Sequence, residues 1–367
     1  MTTKPANSAS SLAAVFTQPG QPMELRELPV PELRDGEALV RINCCTICGS
    51  DLHSCSGRRS VPAPTILGHE IVGVVEQVPD KALTDLRGET LQPGDRVVWS
   101  VAVSCGRCRN CRRGIPQKCA DLHKYGHHKL EDAWSLSGGL AQHCHLRKNT
   151  AALKVDASLS DEVLCPASCA TSTCAAALRT AGSIDGDRVL VLGAGMLGLT
   201  MAAMAKCAAA DSVTVCDVNE QRRAMSLRFG ADRVVAWNDL PAAASETSQA
   251  NGGDGFDVVF EMTGQPEANH AAIDLAGTGA RIVLVGSVFP GPHLLLDPER
   301  VVRRLLSIAG VHNYRPDDLL AAVEFLAGDG RQFPFAELVE RSFALPDVNT
   351  AFQFAQEHRP IRTAVKP

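Results

Sequence analysis

Along the first hundred residues, apolar and polar positions alternate in short runs. Glu24 to Leu28 and Glu37 to Asn43 alternate, Ile71 to Val78 is a β-branched run, and Asp95 to Trp99 follows a Pro93-Gly94 turn. Short strands between Gly/Pro turns predict a small β-rich, barrel-like domain. Asp161 to Arg179 reads as one long helix. From Asp187 the period changes. Val189 to Leu192 is an unbroken apolar strand, Leu199 to Ala209 an apolar helix, and Ser212 to Cys216 a second strand. Arg233–Ala236, Phe256–Glu261, Arg281–Val285 and Ser307–Val311 continue the alternation, giving an α/β doubly wound parallel sheet of six strands. The remaining residues, with Pro334, Pro346 and Pro360, lose this rhythm and are expected to rejoin the first domain. The expected division is 1–169, completed by 315–367, and 170–314.

Length supports this division, since 367 residues exceed one ordinary core. The net charge of −5 and 4% aromatic content argue against nucleic-acid binding. The longest apolar stretch, Val189 to Ala210, is broken by three glycines and Lys206, so no membrane span is expected. Met1 to Ser10 reads as a polar leader without a signal-peptide core, which implies a cytoplasmic protein. Its 14 cysteines are then expected as reduced thiols.

Two cysteine-containing stretches suggest metal. Cys48-Gly-Ser50-Asp51-Leu-His53 is followed by Gly68-His69-Glu70. Alone, Cys48 would be a small buried hydrophobe and His69 a turn residue. Together they look like half of a catalytic zinc site, with a hydroxyl, a second imidazole and two carboxylates beside it. A third ligand would come from Cys165, Cys169 or Cys174, the nearest supply before the second domain. Cys105, Cys108, Cys111 and Cys119 can close a tetrahedron on one Zn²⁺ with no open position, which marks a structural site. His127, His128, His143 and His145 are expected in a solvated lobe near that loop, with substrate contact or additional metal as the alternative.

Gly193-Ala-Gly195-Met-Leu-Gly198 follows a strand and opens a helix, and Asp217 stands 19 residues past Gly198. In that context the glycines admit a pyrophosphate at the helix N-terminus, and Asp217 accepts hydrogen bonds from the adenosine ribose. Its charge favours NAD over NADP, although Arg222 and Arg223 could hold a 2′-phosphate or could simply face solvent.

From Ala13 to Lys366 the chain resembles the zinc-dependent medium-chain alcohol dehydrogenases. The resemblance rests on C-G-S-D-L-H, G-H-E, the four clustered cysteines, G-A-G-M-L-G, Asp217 and Ile361-Arg362-Thr363. It implies a GroES-like catalytic domain joined to a Rossmann domain, two zinc ions, NAD, and a homodimer or homotetramer pairing through the edge strand Ser307–Val311. It implies that Cys48, His69 and Cys169 bind the catalytic zinc, with Glu70 behind or transiently on it and Asp51 orienting His69. Ser50 and His53 resemble a proton relay, Thr173 the residue at the nicotinamide, and Arg362 the residue at the pyrophosphate.

The substrate is then a small alcohol, aldehyde or ketone. Arg58 and Arg59 leave the zinc-bearing segment and suggest a carboxylate- or phosphonate-bearing one; solvated surface arginines are the alternative. The stretch C-T-I-C-G-S-D-L-H with G-R-R and the histidine pairs resembles dehydrogenases associated with phosphonate catabolism. Neutral polyol or threonine-type substrates are the other reading. Rivals of other classes are a zinc-free alkene reductase on the same fold and a non-catalytic NAD-binding redox sensor.

Overall fold

A computed structural model describes residues 10–131, 133–251 and 255–367, the side chains of 247–251 excepted. The chain forms two compact units.

The first unit runs up to Cys169 and adds Arg315–Val323 and Ala336–Pro367. Its centre is a seven-stranded sheet. In spatial order Ala152–Lys154, Arg96–Trp99, Glu70–Gln77, Ala38–Thr46, Arg362–Lys366 and Val339–Ala344 lie side by side, and His143–Leu146 also pairs with Ala38–Thr46. Ala38–Thr46 is covered on both faces except at Arg41 and half-buried Asn43, which explains its nearly continuous apolar sequence. Ser10–Phe16 lies between Glu24–Pro29 and Thr65–Ile66 in a smaller sheet. Val15, Leu39, Ile71, Trp99 and Trp134 are among the core residues shared by these strands. The expected β-rich fold is therefore present.

The expected single helix from Asp161 to Arg179 is three pieces. Asp161–Leu164 is α-helical, Cys165–Ser168 is a 3₁₀ turn, and Ala170–Ala181 resumes the α-helix. Pro166 lacks an N–H and its ring crowds the preceding turn, so a continuous helix cannot pass through it. Cys169, at the break, has φ −141° and ψ −81°. Its side chain is thereby turned into the first unit.

The second unit, Ala170–Tyr314 with Glu324–Phe335, carries the six-stranded sheet. Its strands Arg188–Leu192, Ser212–Cys216, Arg233–Val235, Phe256–Glu261, Ala276–Leu284 and Ser307–Gly310 are all parallel. Their spatial order is third, second, first, fourth, fifth, sixth. The order reverses between the first and fourth strands, and such a reversal opens a crevice at the strands' carboxyl ends. Residues 324–335 belong here rather than with the first unit as expected. Phe325, Phe333 and Phe335 pack around each other, with Phe335 edge-on to Phe229 at 5.0 Å.

The glycine turn is closed on one side and open on the other. Gly193 has φ +98°, and a Cβ on Gly198 would lie 1.7 Å from the Gly193 carbonyl oxygen. A Cβ on Gly195, which begins the helix Met196–Cys207, would meet nothing within 4 Å. Among the described residues, no helix is long and apolar enough to cross a membrane.

Gly198→Ala is expected to destabilise the second unit by about 2–3 kcal/mol, because backbone must move to admit the methyl. Thermal unfolding followed by circular dichroism should show a midpoint lowered by roughly 5–10 °C.

Candidate active site

The first unit assembles its metal-ligating groups from three separate turns. Cys48 caps the short helix Gly49–Cys55, and Asp51 in its first turn accepts the Cys48 backbone N–H at 2.9 Å. His69 follows Gly68, whose φ of +89° and close contact with Cys45 Sγ exclude a side chain. Cys169 comes from the Pro166 break. Their ligand atoms, the sulfurs of Cys48 and Cys169 and a His69 ring nitrogen, lie within 4.8 Å of one another. Two soft thiolates and an imidazole suit Zn²⁺ and leave a fourth tetrahedral position for substrate or water.

Asp51 ties two of these turns together. Its Oδ1 also lies 3.4 Å from the Gly68 N–H and 3.4 Å from His69 Nδ1. The ring's other nitrogen, Nε2, lies 3.5 Å from Ser50 Oγ. Burial disfavours a charged ring, but the Asp51 carboxylate outweighs it and His69 is pushed up to about 10. The same field would favour a metal cation held by this group. A hydrogen bond from Cys169, aided by Arg362 and His69, holds the Cys48 thiol well below its usual value.

Glu70 stands behind this set, outside the ligand cluster. It is fully buried, with Oε2 accepting from Thr46 Oγ1 at 2.6 Å and from Arg362 Nε at 2.7 Å, and Oε1 accepting from Arg362 Nη2 at 2.8 Å. With both oxygens engaged, Glu70 is not a metal ligand in this arrangement. Arg362, expected at the pyrophosphate, pairs with Glu70 in this arrangement, which leaves that expectation untouched. Cys165 and Cys174 donate to the backbone carbonyls of Cys44 and Leu197, both at 3.2 Å, and take no part in the ligand set.

The four other cysteines form the second cluster, also within 4.8 Å. Cys108 Sγ is 3.5 Å from Cys111 Sγ and 3.8 Å from Cys119 Sγ, much longer than a disulfide bond and close to the sulfur spacing around a tetrahedral Zn²⁺. The N–H groups of Cys105 and Asp121 donate to Cys119 Sγ, and nearby N–H groups hold the Cys108 thiol down to about 6. A polar cavity of about 320 Å³ opens beside Cys105, among Glu37, Asp121, His123 and Arg147. Cys48, His69 and Cys169 do not line it.

The histidines do not form the expected solvated lobe. His143 lies 3.0 Å from Ser11 Oγ and 3.3 Å from Glu76, buried His145 pairs with Glu37 at 3.0 Å, and His128 packs on Trp134. These are contacts within the fold. His127 alone reaches the candidate site, its ring 4.8 Å from that of His69. Its Nε2 contacts Arg59 Nη1 at 2.5 Å and its Nδ1 contacts the Tyr125 carbonyl at 2.9 Å. Arg58, one residue earlier, is exposed. Lys124 also belongs here, since Arg59 and Cys169 both act on it electrostatically. Burial, with Arg59 and Lys118 nearby, holds its ammonium down to about 8. No local motif marked Lys124; only the pairing of His123–Lys124 with Ala102–Val103 brings it in.

In the second unit, Asp217 closes onto the glycine turn. Its Oδ2 accepts from Ala194 N–H at 2.6 Å and its Oδ1 from Asn219 N–H at 2.7 Å. Arg223, rather than Arg222, wraps this turn, with Nη1 donating to the Asp217 and Val218 carbonyls. Thr173 lies half-buried in the first turn of Ala170–Ala181.

Known proteins of similar sequence and fold are dehydrogenases. Residues 34–157 match the family model "Alcohol dehydrogenase GroES-like domain", and residues 197–328 match "Zinc-binding dehydrogenase". The chain is 33% identical over 294 residues to an L-threonine 3-dehydrogenase of Anaeromyxobacter dehalogenans, covering 78% of this chain and 79% of that one. An L-threonine 3-dehydrogenase of Shewanella frigidimarina is 29% identical over 343 residues, 91% of this chain and 93% of its own. An alcohol dehydrogenase from Thermotoga maritima superposes with a TM-score of 0.91 at 26% identity, over 98% of this chain and all of its own.

Asp51→Asn is expected to weaken zinc at the Cys48 cluster by about 10–100-fold while leaving the four-cysteine site filled. Chelator competition followed by metal analysis should show one labile and one retained zinc per chain.

Proposed function

This chain belongs to the zinc-dependent medium-chain alcohol dehydrogenase family, and we propose that it transfers a hydride between a small alcohol and NAD. The observation that carries the reading is the Cys48–His69–Cys169 cluster with the Ser50 hydroxyl beside His69. A purely structural zinc would have four protein ligands and no such hydroxyl.

The donor sets fit two zinc ions, and the open backbone at Gly195 fits a pyrophosphate. When bound, zinc supplies a Lewis acid for the substrate oxygen and the nicotinamide supplies the hydride acceptor. The chain's own residues manage position and protons. Cys48, His69 and Cys169 hold the metal, and Asp51 fixes the His69 ring. Ser50 Oγ receives the substrate's hydroxyl proton, and His53 on the same helix passes it to solvent. Burial and the Arg58 charge lower the His53 pKa, so its ring is neutral and able to accept a proton at neutral pH. Glu70 and Arg362 form a neutral pair behind the metal ligands.

In the second unit Thr173 borders the nicotinamide, and Gly193, Gly195 and Gly198 shape the pyrophosphate turn. Asp217 keeps lone pairs for the ribose hydroxyls beyond its two backbone hydrogen bonds. Its negative charge supports NAD over NADP, and Arg223 is already engaged by backbone carbonyls. The open edge strand Ser307–Gly310, with exposed Leu295, Val302 and Leu305 before it, supports pairing with a second copy.

For the substrate, the threonine-type reading draws on the relatives' names. The phosphonate-type reading draws on the Arg58-Arg59 segment. Both compounds carry an anionic group beside the reacting alcohol.

Purified protein should contain two zinc atoms per chain and reduce NAD with a small alcohol. Ser50→Ala should lower kcat by roughly 10²-fold or more with zinc content unchanged. A single zinc atom per chain would favour the zinc-free reductase, and NAD binding without hydride transfer to any alcohol would favour the redox sensor.

A further inference from the structure

His127 holds Arg59 in an unusual way for a half-buried guanidinium. The Tyr125 carbonyl can only accept, so His127 Nδ1 carries the proton of that 2.9 Å hydrogen bond. Arg59 Nη1 can only donate, so His127 Nε2 presents its lone pair to the guanidinium. These two contacts require the neutral Nδ1–H form of the imidazole. Arg59 is thus positioned by an uncharged acceptor, and its own backbone N–H is anchored on the His53 carbonyl at 3.0 Å.

The charge of Arg59 is consequently left uncompensated. Among the described residues, no carboxylate lies within ion-pair distance of Arg59 or Lys124. Other arginines in the same unit are treated differently: Arg96 pairs with Asp161 and Arg362 with Glu70. Arg59, with Lys124 acting on it electrostatically and no carboxylate paired to it among the described residues, is suited to receive an anion from outside the chain. The site lies one imidazole ring beyond His69, since the His127 and His69 rings are 4.8 Å apart. Through His127, Arg59 is thus linked to the ring of His69, one of the three groups of the Cys48–His69–Cys169 cluster.

We propose that Arg59, held by His127 and assisted by Lys124, binds the anionic end group of the substrate, a carboxylate or a phosphonate, while its alcohol occupies the metal centre. The inference rests on the dehydrogenase reading and names the substrate class of the same site. A guanidinium fork accepts two oxygens of a planar carboxylate or of a tetrahedral phosphonate, so the experiment separates these sources.

The test combines turnover with direct binding. The zinc-loaded enzyme is assayed with NAD and 2-hydroxyethylphosphonate, 3-hydroxypropanoate or propan-1-ol. Separately, inorganic phosphate and acetate are titrated calorimetrically into the enzyme–NADH complex, where the cofactor's own phosphates already fill the glycine turn. The expected result is a kcat/KM at least tenfold higher for an anionic alcohol than for propan-1-ol, and measurable binding of the matching anion. Arg59→Met should reduce that kcat/KM about 10–100-fold, mainly through KM, and abolish anion binding. Turnover of propan-1-ol should fall far less than that of the anionic alcohol. Arg59→Lys should recover part of the loss, and Lys81→Met, an exposed charge control, none of the effect.

Should Arg59→Met lose zinc or fold, Lys124→Met decides in the same way. Equal turnover of charged and neutral alcohols, with no anion binding, would overturn the subsite and leave the dehydrogenase reading intact. Arg59-dependent anion binding without turnover of any alcohol would retain the subsite and remove the dehydrogenase reading.

Discussion

A carboxylate with no exposure to solvent is the constraint around which the first unit is built. Removing Glu70 from water costs several kcal/mol unless a partner is buried with it. That partner, Arg362, lies 292 residues further along the chain. The C-terminal strand must therefore return to the central sheet, where Arg362–Lys366 pairs with Ala38–Thr46. Thr46, opposite Glu70 across the adjoining strands, supplies the third member. Cys48 and His69 stand immediately beyond these locked strand ends. Their separation is thus set by sheet register, which is far stiffer than a loop.

A second carboxylate works at shorter range. Asp51 holds the Cys48 turn and the Gly68–His69 turn with one side chain, and it also orients the ligating ring. The third ligand depends on neither acid. It depends on Pro166, which interrupts the helix one turn before Cys169. Three separate devices therefore converge on one group of side chains that could hold a metal.

The features legible in the sequence are those whose partners lie close along the chain. Four cysteines within fifteen positions, the C-G-S-D-L-H and G-H-E segments and the glycine turn with Asp217 each declare their chemistry locally. The strand Arg188–Leu192 of the second unit was legible for the same reason, because a parallel strand buried on both faces reads as an apolar run. Pro166 lies inside the stretch expected as one helix and interrupts it. The histidines show the limit. His127, His128, His143 and His145 fall within nineteen residues, yet one reaches the His69 ring, one packs on Trp134 and two pair with Glu76 and Glu37. Composition cannot sort them, since their roles are set by which strand lies alongside.

The same distinction separates reaction from substrate. Metal chemistry needs ligands at bond length from one ion, so its residues recur in short, stereotyped segments that sequence displays. Substrate recognition has no such requirement. Arg59 comes from a bend beyond the helix Gly49–Cys55, and only the fold sets it beside the segment that carries Lys124 and His127. Arg58 and Arg59 are adjacent and chemically identical, but one faces solvent and the other an imidazole. A neutral partner for Arg59 matters because a glutamate in its place would fix the guanidinium equally well while cancelling its charge. The imidazole provides position without neutralisation, and that combination is what a site for an incoming anion requires.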